Sequence, residues 1–184
     1  MTKVSQIVLG TLITLGSIVI PVPEAKASVH QEHVELWRTL QEVGVTTLIN
    51  EPSLCHNEKA DGAYFYTEST LIVCQDNSHR FGTKEVTWTA NDYDTLRHEA
   101  HHVIQDCLVG GIADGKLGRL FSDIDELKEF VFNALTEEQV KAIVTQYRES
   151  GADDDVILRE LEAFAVATSV DARNISEGLR DVCL

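Results

Sequence analysis

Residues 98–102 read His98-Glu99-Ala100-His101-His102. Two histidines four positions apart project from one face of a helix, a turn apart, so both imidazoles can reach one zinc ion at about 2.0–2.1 Å. Glu99, between them, is placed to take a proton from a water molecule at such a centre and pass it on. A zinc ion that does chemistry takes three protein ligands and keeps a position open, so a third donor must come from elsewhere. The residues after His102, Val103-Ile-Gln-Asp-Cys-Leu-Val109, offer neither a glycine turn nor another histidine, which excludes an extended three-histidine motif. A later segment supplies the candidate. Glu160 and Ala163 are one helical turn apart, so the carboxylate can reach the metal while the small alanine lets its helix pack closely on the histidine helix. Glu162 competes, pointing about 200° away around the same helix. Glu160 shares its face with Ala163, Phe164 and Ala167, and a carboxylate among small and apolar residues needs a partner.

These residues need a scaffold. Leu96, Ala100, Val103 and Cys107 form an apolar stripe that faces a core, while His98, His102 and Gln105 fall on another face that can line a cleft. This predicts a helix over about 93–108, with Asp92 and Asp94 as capping candidates. Upstream, Val34, Trp37, Leu40 and Val43 predict a helix over about 30–43, closed by Gly44. Residues 45–50, 63–66 and 71–75 are rich in β-branched and aromatic side chains and predict a small antiparallel sheet, with a hairpin turn at Thr67-Glu-Ser-Thr70. Residues 76–91 read as a loop or weak strand, with a β-like piece at Val86–Trp88. Downstream, the pattern predicts a helix from Asp123 to Leu135, one opened by the capping box Thr136-Glu-Glu-Gln139 and closed by Gly151, and one capped by Asp153–Asp155 that runs to about Val170. The order is α+β: an N-terminal helix, a small sheet and a mostly helical C-terminal half in one domain.

The chain has 184 residues, with 15 Lys plus Arg against 30 Asp plus Glu and a formal charge of -15. That field repels polyanions, and no basic stripe is present to release counterions, which argues against nucleic acid and anionic membranes as partners. Lys3, the uncharged run Ile7–Ile20, Pro21, Pro23 and Ala25-Lys26-Ala27 have the order of a secretory signal peptide. Cleavage is expected after Ala27, which leaves a mature domain of residues 28–184 in the periplasm or medium. In that oxidising setting the four cysteines imply two disulfides. Of the three possible pairings, Cys55 with Cys74 and Cys107 with Cys183 is favoured. The first ties a local loop and the second fastens the C-terminal segment to the histidine helix. No CxxC spacing supports a zinc-thiolate cluster, and nothing in the composition forces a dimer.

HExxH on one helix, followed 58 residues after His102 by ExxA on another, resembles the gluzincin metallopeptidases, in particular the ExxAD type and the minigluzincin-like and putative-metallopeptidase families. The resemblance spans about residues 63–167. It implies a zincin-like domain that hydrolyses peptide bonds in a peptide or protein substrate, with Zn²⁺ held by His98, His102 and Glu160 and with Glu99 as general base. Leu71-Ile-Val-Cys74 is similar to the strand that borders the substrate cleft in such proteins. One departure stands out: Phe164 occupies the place of the aspartate that orients a histidine ligand, so that hydrogen bond must come from another residue or be missing; Asp125, Asp171 or a backbone carbonyl could serve. His101 is expected to face solvent or to act as a hydrogen-bonding neighbour. Tyr66, His79, Tyr93 and Tyr147 are the candidate donors to a developing oxyanion. The alternative is a non-catalytic, zinc-stabilised and disulfide-stapled secreted binding domain, in which His101 or Glu162 completes a closed shell.

Overall fold

The computed structural model describes residues 24–56, 60–78 and 84–184, with the backbone alone described for residues 24–29. Most of the expected signal peptide (1–23) and His79 lie outside the described residues. The elements are α1 (Glu24–Glu42), β1 (Thr46–Ile49), α2 (Pro52–Cys55), β2 (Gly62–Phe65), β3 (Thr70–Val73), α3 (Ala90–Cys107), α4 (Ile124–Ala134), α5 (Glu137–Glu149), α6 (Asp154–Ser169) and α7 (Ala172–Cys183). This is the expected α+β order.

Gly44, at φ 95°, closes α1 in a backbone conformation that costs glycine little, and the chain then turns directly into β1. The sheet has the order β1-β3-β2 and is mixed, not wholly antiparallel. β2 and β3 form the expected hairpin, with Tyr64 opposite Leu71, whereas β1 runs parallel to β3, with Thr47 opposite Leu71. Residues 50–69 supply the long crossover that a parallel pair requires. The central strand β3 buries Leu71, Ile72 and Val73, so it reads as a continuous apolar run whose pairing direction the pattern does not reveal. The expected β-like piece at Val86–Trp88 pairs with a side chain instead of a strand. Gln75 Oε1 accepts from Val86 N at 2.8 Å, and Gln75 Nε2 donates to Val86 O at 3.0 Å.

α3 runs through the centre of the molecule. Leu96, Ala100 and Val103 meet Leu36 and Leu40 of α1, Leu71 and Val73 of β3, and Ile175 and Leu179 of α7 in the main core. A second cluster joins Leu127 and Val131 of α4 to Ile157, Leu161 and Ala165 of α6. α3 starts at Ala90, earlier than expected, because Thr89 is the N-cap and Asp92 is the third residue of a reciprocal capping box. Asp94 pairs instead with Arg97. The boxes and caps expected at Thr136 and Asp153 are present.

α7 lies beyond the expected end of helical structure at Val170. Asp171 caps it by accepting from Asn174 N at 2.8 Å, and its apolar face carries Ile175 and Leu179 into the core. Both favoured disulfides are formed, each with a Cα–Cα distance of 5.3 Å. Cys107–Cys183 joins the last residue of α3 to the last residue of α7, and Cys55–Cys74 joins α2 to the residue after β3. No helix among the described residues is long and apolar enough to cross a membrane.

Candidate metal centre

α3 and α6 pack against each other and bring His98, His102 and Glu160 together, with their ligating atoms all within 4.8 Å of one another. His98 Nε2 lies 3.1 Å from His102 Nε2, and Glu160 Oε2 lies 3.3 Å from the first and 3.5 Å from the second. Both histidines are buried, and Ala163 is fully buried on α6 beside them. Two imidazole nitrogens facing each other in a buried site require a shared proton or a cation between their lone pairs.

In the metal-free protein, protons fill that role. Burial opposes charge on His102, but the hydrogen bond and charge of Glu160 outweigh it and push its pKa up to about 9. Burial alone would raise Glu160, yet the two imidazoles hold its carboxyl well below the usual range.

Glu162 has a different task. Its carboxylate accepts from His101 Nε2 at 2.8 Å, Gln105 Nε2 at 3.0 Å, Leu120 N at 3.0 Å and Phe121 N at 3.2 Å. Of the two competing glutamates, Glu160 is therefore the one at the histidines. His101 is fully buried against Glu162 and does not face solvent.

The hydrogen bond to His102 comes from Gln105, which shares the expected face with the histidines but is fully buried and does not line the cleft. Gln105 Oε1 sits 2.8 Å from His102 Nδ1. Asp125 pairs with Lys128 on the surface and Asp171 caps α7, so neither serves as the orienting partner. The available signal was local, since Gln105 is three residues after His102 on one helix. His98 is held differently: Phe164 packs on its ring at a centroid distance of 4.4 Å, and the buried His98 Nδ1 has no partner among the described residues.

Glu99 is buried beside the histidines, and burial raises its carboxyl pKa, partly offset by the two imidazoles and by the Tyr64 backbone N–H. Its position depends on Gly62. A Cβ there would lie 2.6 Å from Thr95 Cγ2, 2.8 Å from Ile72 O and 3.3 Å from Glu99 Cγ. Glycine is what lets β2 approach α3 this closely.

The site opens into a cleft. On one side a cavity of about 530 Å³ is lined by Tyr64 and Tyr66, Lys116 and Leu117, and Tyr147 and Arg159. On the other side a second cavity of about 530 Å³ is lined by Asp61, Asn91, Thr95, Phe164 and Thr168. Gly62, His98, Glu99 and Tyr147 border both. The bordering strand is β2, an edge of the sheet, and not Leu71–Cys74, whose strand β3 is central and covered on both sides. Among the candidate oxyanion donors, Tyr147 and Tyr66 line the cleft, and Tyr147 Oη lies 2.6 Å from Glu160 Oε2. Tyr93 lies in a separate cavity of about 280 Å³, against Trp88 and His30.

The class these features define is a disulfide-stapled α+β domain with a buried His-His-Glu group able to hold a metal ion, and the disulfides fit an oxidising compartment. The chain belongs to a family described as a domain of unknown function (DUF8637), whose model matches residues 27–184. No curated protein and no solved structure matches it.

Proposed function

We propose that this protein is an exported, gluzincin-type zinc peptidase, with His98, His102 and Glu160 as ligands and Glu99 as general base. The observation that carries the reading is the ligand triangle. Its edges are 3.1, 3.3 and 3.5 Å, and tetrahedral ligands about 2.0–2.1 Å from zinc stand about 3.3–3.4 Å apart. When bound, the ion supplies Lewis acidity that polarises a carbonyl and makes water a stronger acid.

The protein's own residues supply the rest. Glu99, steadied by the Tyr64 N–H, accepts the proton from water and returns it to the leaving amine. The free edge of β2 lies along the cleft and offers main-chain hydrogen bonds to an extended peptide. Tyr147, whose one O–H donates to Glu160 Oε2 when no substrate is bound, is the donor that turns to the carbonyl oxygen as negative charge develops on it. The resemblance to the gluzincins implies a peptide or protein substrate, and the formal charge of -15 opposes nucleic acid and anionic membranes as partners. The charged-apolar-small order of residues 3–27 and the disulfides support export, with residues 28–184 as the mature domain.

One observation favours a second reading, a zinc-stabilised binding domain without catalysis. Phe164 and the unpartnered His98 Nδ1 leave one ligand oriented by packing alone. Against a closed shell, His101 and Glu162 are committed to each other at 2.8 Å.

The test is zinc content of the protein expressed with export, by elemental mass spectrometry, beside a peptide-library assay. Near-stoichiometric zinc in the wild type, its loss in Glu160→Ala, and retained zinc without hydrolysis in Glu99→Ala support the peptidase. Zinc without hydrolysis in the wild type points to the binding domain. A metal-free wild type purified without chelator overturns both.

A further inference from the structure

Gln105 is fully buried, and its side-chain amide touches three groups: His102 Nδ1 at 2.8 Å, Glu162 Oε1 at 3.0 Å and the Arg159 carbonyl at 3.1 Å. The last two, an ionised carboxylate and a carbonyl, only accept hydrogen bonds. The amide nitrogen must therefore face them, which leaves the amide oxygen facing His102. That oxygen also only accepts, so His102 Nδ1 must carry a proton. In a neutral imidazole the lone pair then sits on Nε2, the atom that faces His98 and Glu160.

Glu162 has no freedom to reverse this order. Four donors, from His101, Gln105, Leu120 and Phe121, converge on its two oxygens.

We infer that Glu162, acting through Gln105, is a positioning residue that sets the tautomer of His102 and so makes Nε2 available to the metal. The inference rests on the reading of His102 as a ligand. It gives the extra histidine of the motif a purpose, since His101 supplies one of the donors that hold Glu162 in place. The two glutamates of α6 divide the work: Glu160 faces the metal position, and Glu162 governs the far nitrogen of one ligand. The same carboxylate anchors the backbone at Leu120 and Phe121, just after the residues that line the cleft at Lys116 and Leu117.

The test uses the full mature protein and three measurements. Nitrogen-15 NMR of the metal-free wild type at alkaline pH, where the imidazole is neutral, should show His102 protonated on Nδ1. Gln105→Leu removes the acceptor at Nδ1, and Glu162→Leu removes the carboxylate that, with the Arg159 carbonyl, holds the amide nitrogen away from His102, so in both the Nδ1–H tautomer loses support. Zinc affinity, read by competition with a chromogenic chelator, should fall about 10–100-fold although no ligand is altered. The nitrogen-15 spectrum of metal-free Gln105→Leu should show the Nδ1–H form depleted, which a merely structural role would not do. A wild-type His102 protonated on Nε2, wild-type affinity in Glu162→Leu, or an unchanged tautomer in Gln105→Leu would each overturn the inference. The wild-type tautomer needs neither a folded variant nor a metal, so it separates this inference from the zinc reading. Failure of the wild type to bind zinc, with His102 protonated on Nδ1, would overturn the zinc reading and the metal half of the inference while the tautomer assignment stands.

Discussion

Tyr147 Oη donates to Glu160 Oε2 at 2.6 Å, and that same oxygen is 3.3 Å from His98 Nε2 and 3.5 Å from His102 Nε2. A carboxylate oxygen with three such neighbours is held in place before any ligand arrives. α5 thus reaches into the site through one hydroxyl, although it places no residue in the buried core. Burial, together with the charge of Glu160, raises the Tyr147 pKa, so the group remains a proton donor across the physiological range.

Removing that hydroxyl separates metal binding from chemistry. Tyr147→Phe is expected to retain zinc, because all three ligands remain, and to lower kcat by about 10²–10³-fold, the usual effect of deleting an oxyanion donor. KM should change little. Steady-state kinetics beside elemental analysis check this, and unchanged kcat would remove Tyr147 from the mechanism.

Gly62→Ala probes how β2 meets α3. The added methyl would sit 2.6 Å from Thr95 Cγ2 and 2.8 Å from Ile72 O. A backbone carbonyl cannot swing aside as the end of a flexible side chain does, so the strand must move. The expected cost is about 1–3 kcal/mol of stability, together with displacement of the Tyr64 N–H from Glu99. Thermal unfolding reads the first and the pH profile of hydrolysis the second; an unchanged melting temperature would show that the strand adapts freely.

Stability of the metal-free protein should depend on pH with a definite sign. His102 is raised from 6.5 to about 9, so its contribution is complete below about 6.5 and is lost as pH climbs through about 9. Glu160 is lowered from 4.5, so its contribution is present above that value and is lost as pH falls through its depressed range. Melting temperatures recorded with chelator should therefore peak between these limits and fall by several degrees on the alkaline side. Saturating zinc should abolish the alkaline fall, because a ligating histidine is already neutral. A flat alkaline limb without metal would contradict the buried pair.

The histidine pair and the preference for Glu160 over Glu162 were legible because helical period and apolar stripes are local properties, whereas Cys107–Cys183, 76 residues apart, belonged to one favoured pairing among three. What depends on how distant faces meet was hidden. The Gln105–Glu162 contact spans 57 positions and exists only because α6 packs on α3 with that rotation. The parallel pairing of β1 with β3 was equally illegible, since a strand buried on both faces shows no alternation. α7 was readable in principle: Asp171 followed by Ile175 and Leu179 is a cap followed by one apolar helical face. His101 was ambiguous because burial of a histidine depends on the carboxylate that awaits it, and Glu162 lies 61 residues away.

The Cys107–Cys183 bond has a consequence for when the site comes into being. It closes a separation of 76 residues, against 19 for Cys55–Cys74, and in the chain-entropy model the longer closure adds about 1 kcal/mol more. It clamps the C-terminal end of the very helix that carries both histidines. In a reducing compartment the chain lacks that clamp, so its histidine helix is less firmly seated there. For the export proposed above, the clamp closes only at an oxidising destination, so the thiol chemistry of the compartment sets when the histidine helix is fully seated.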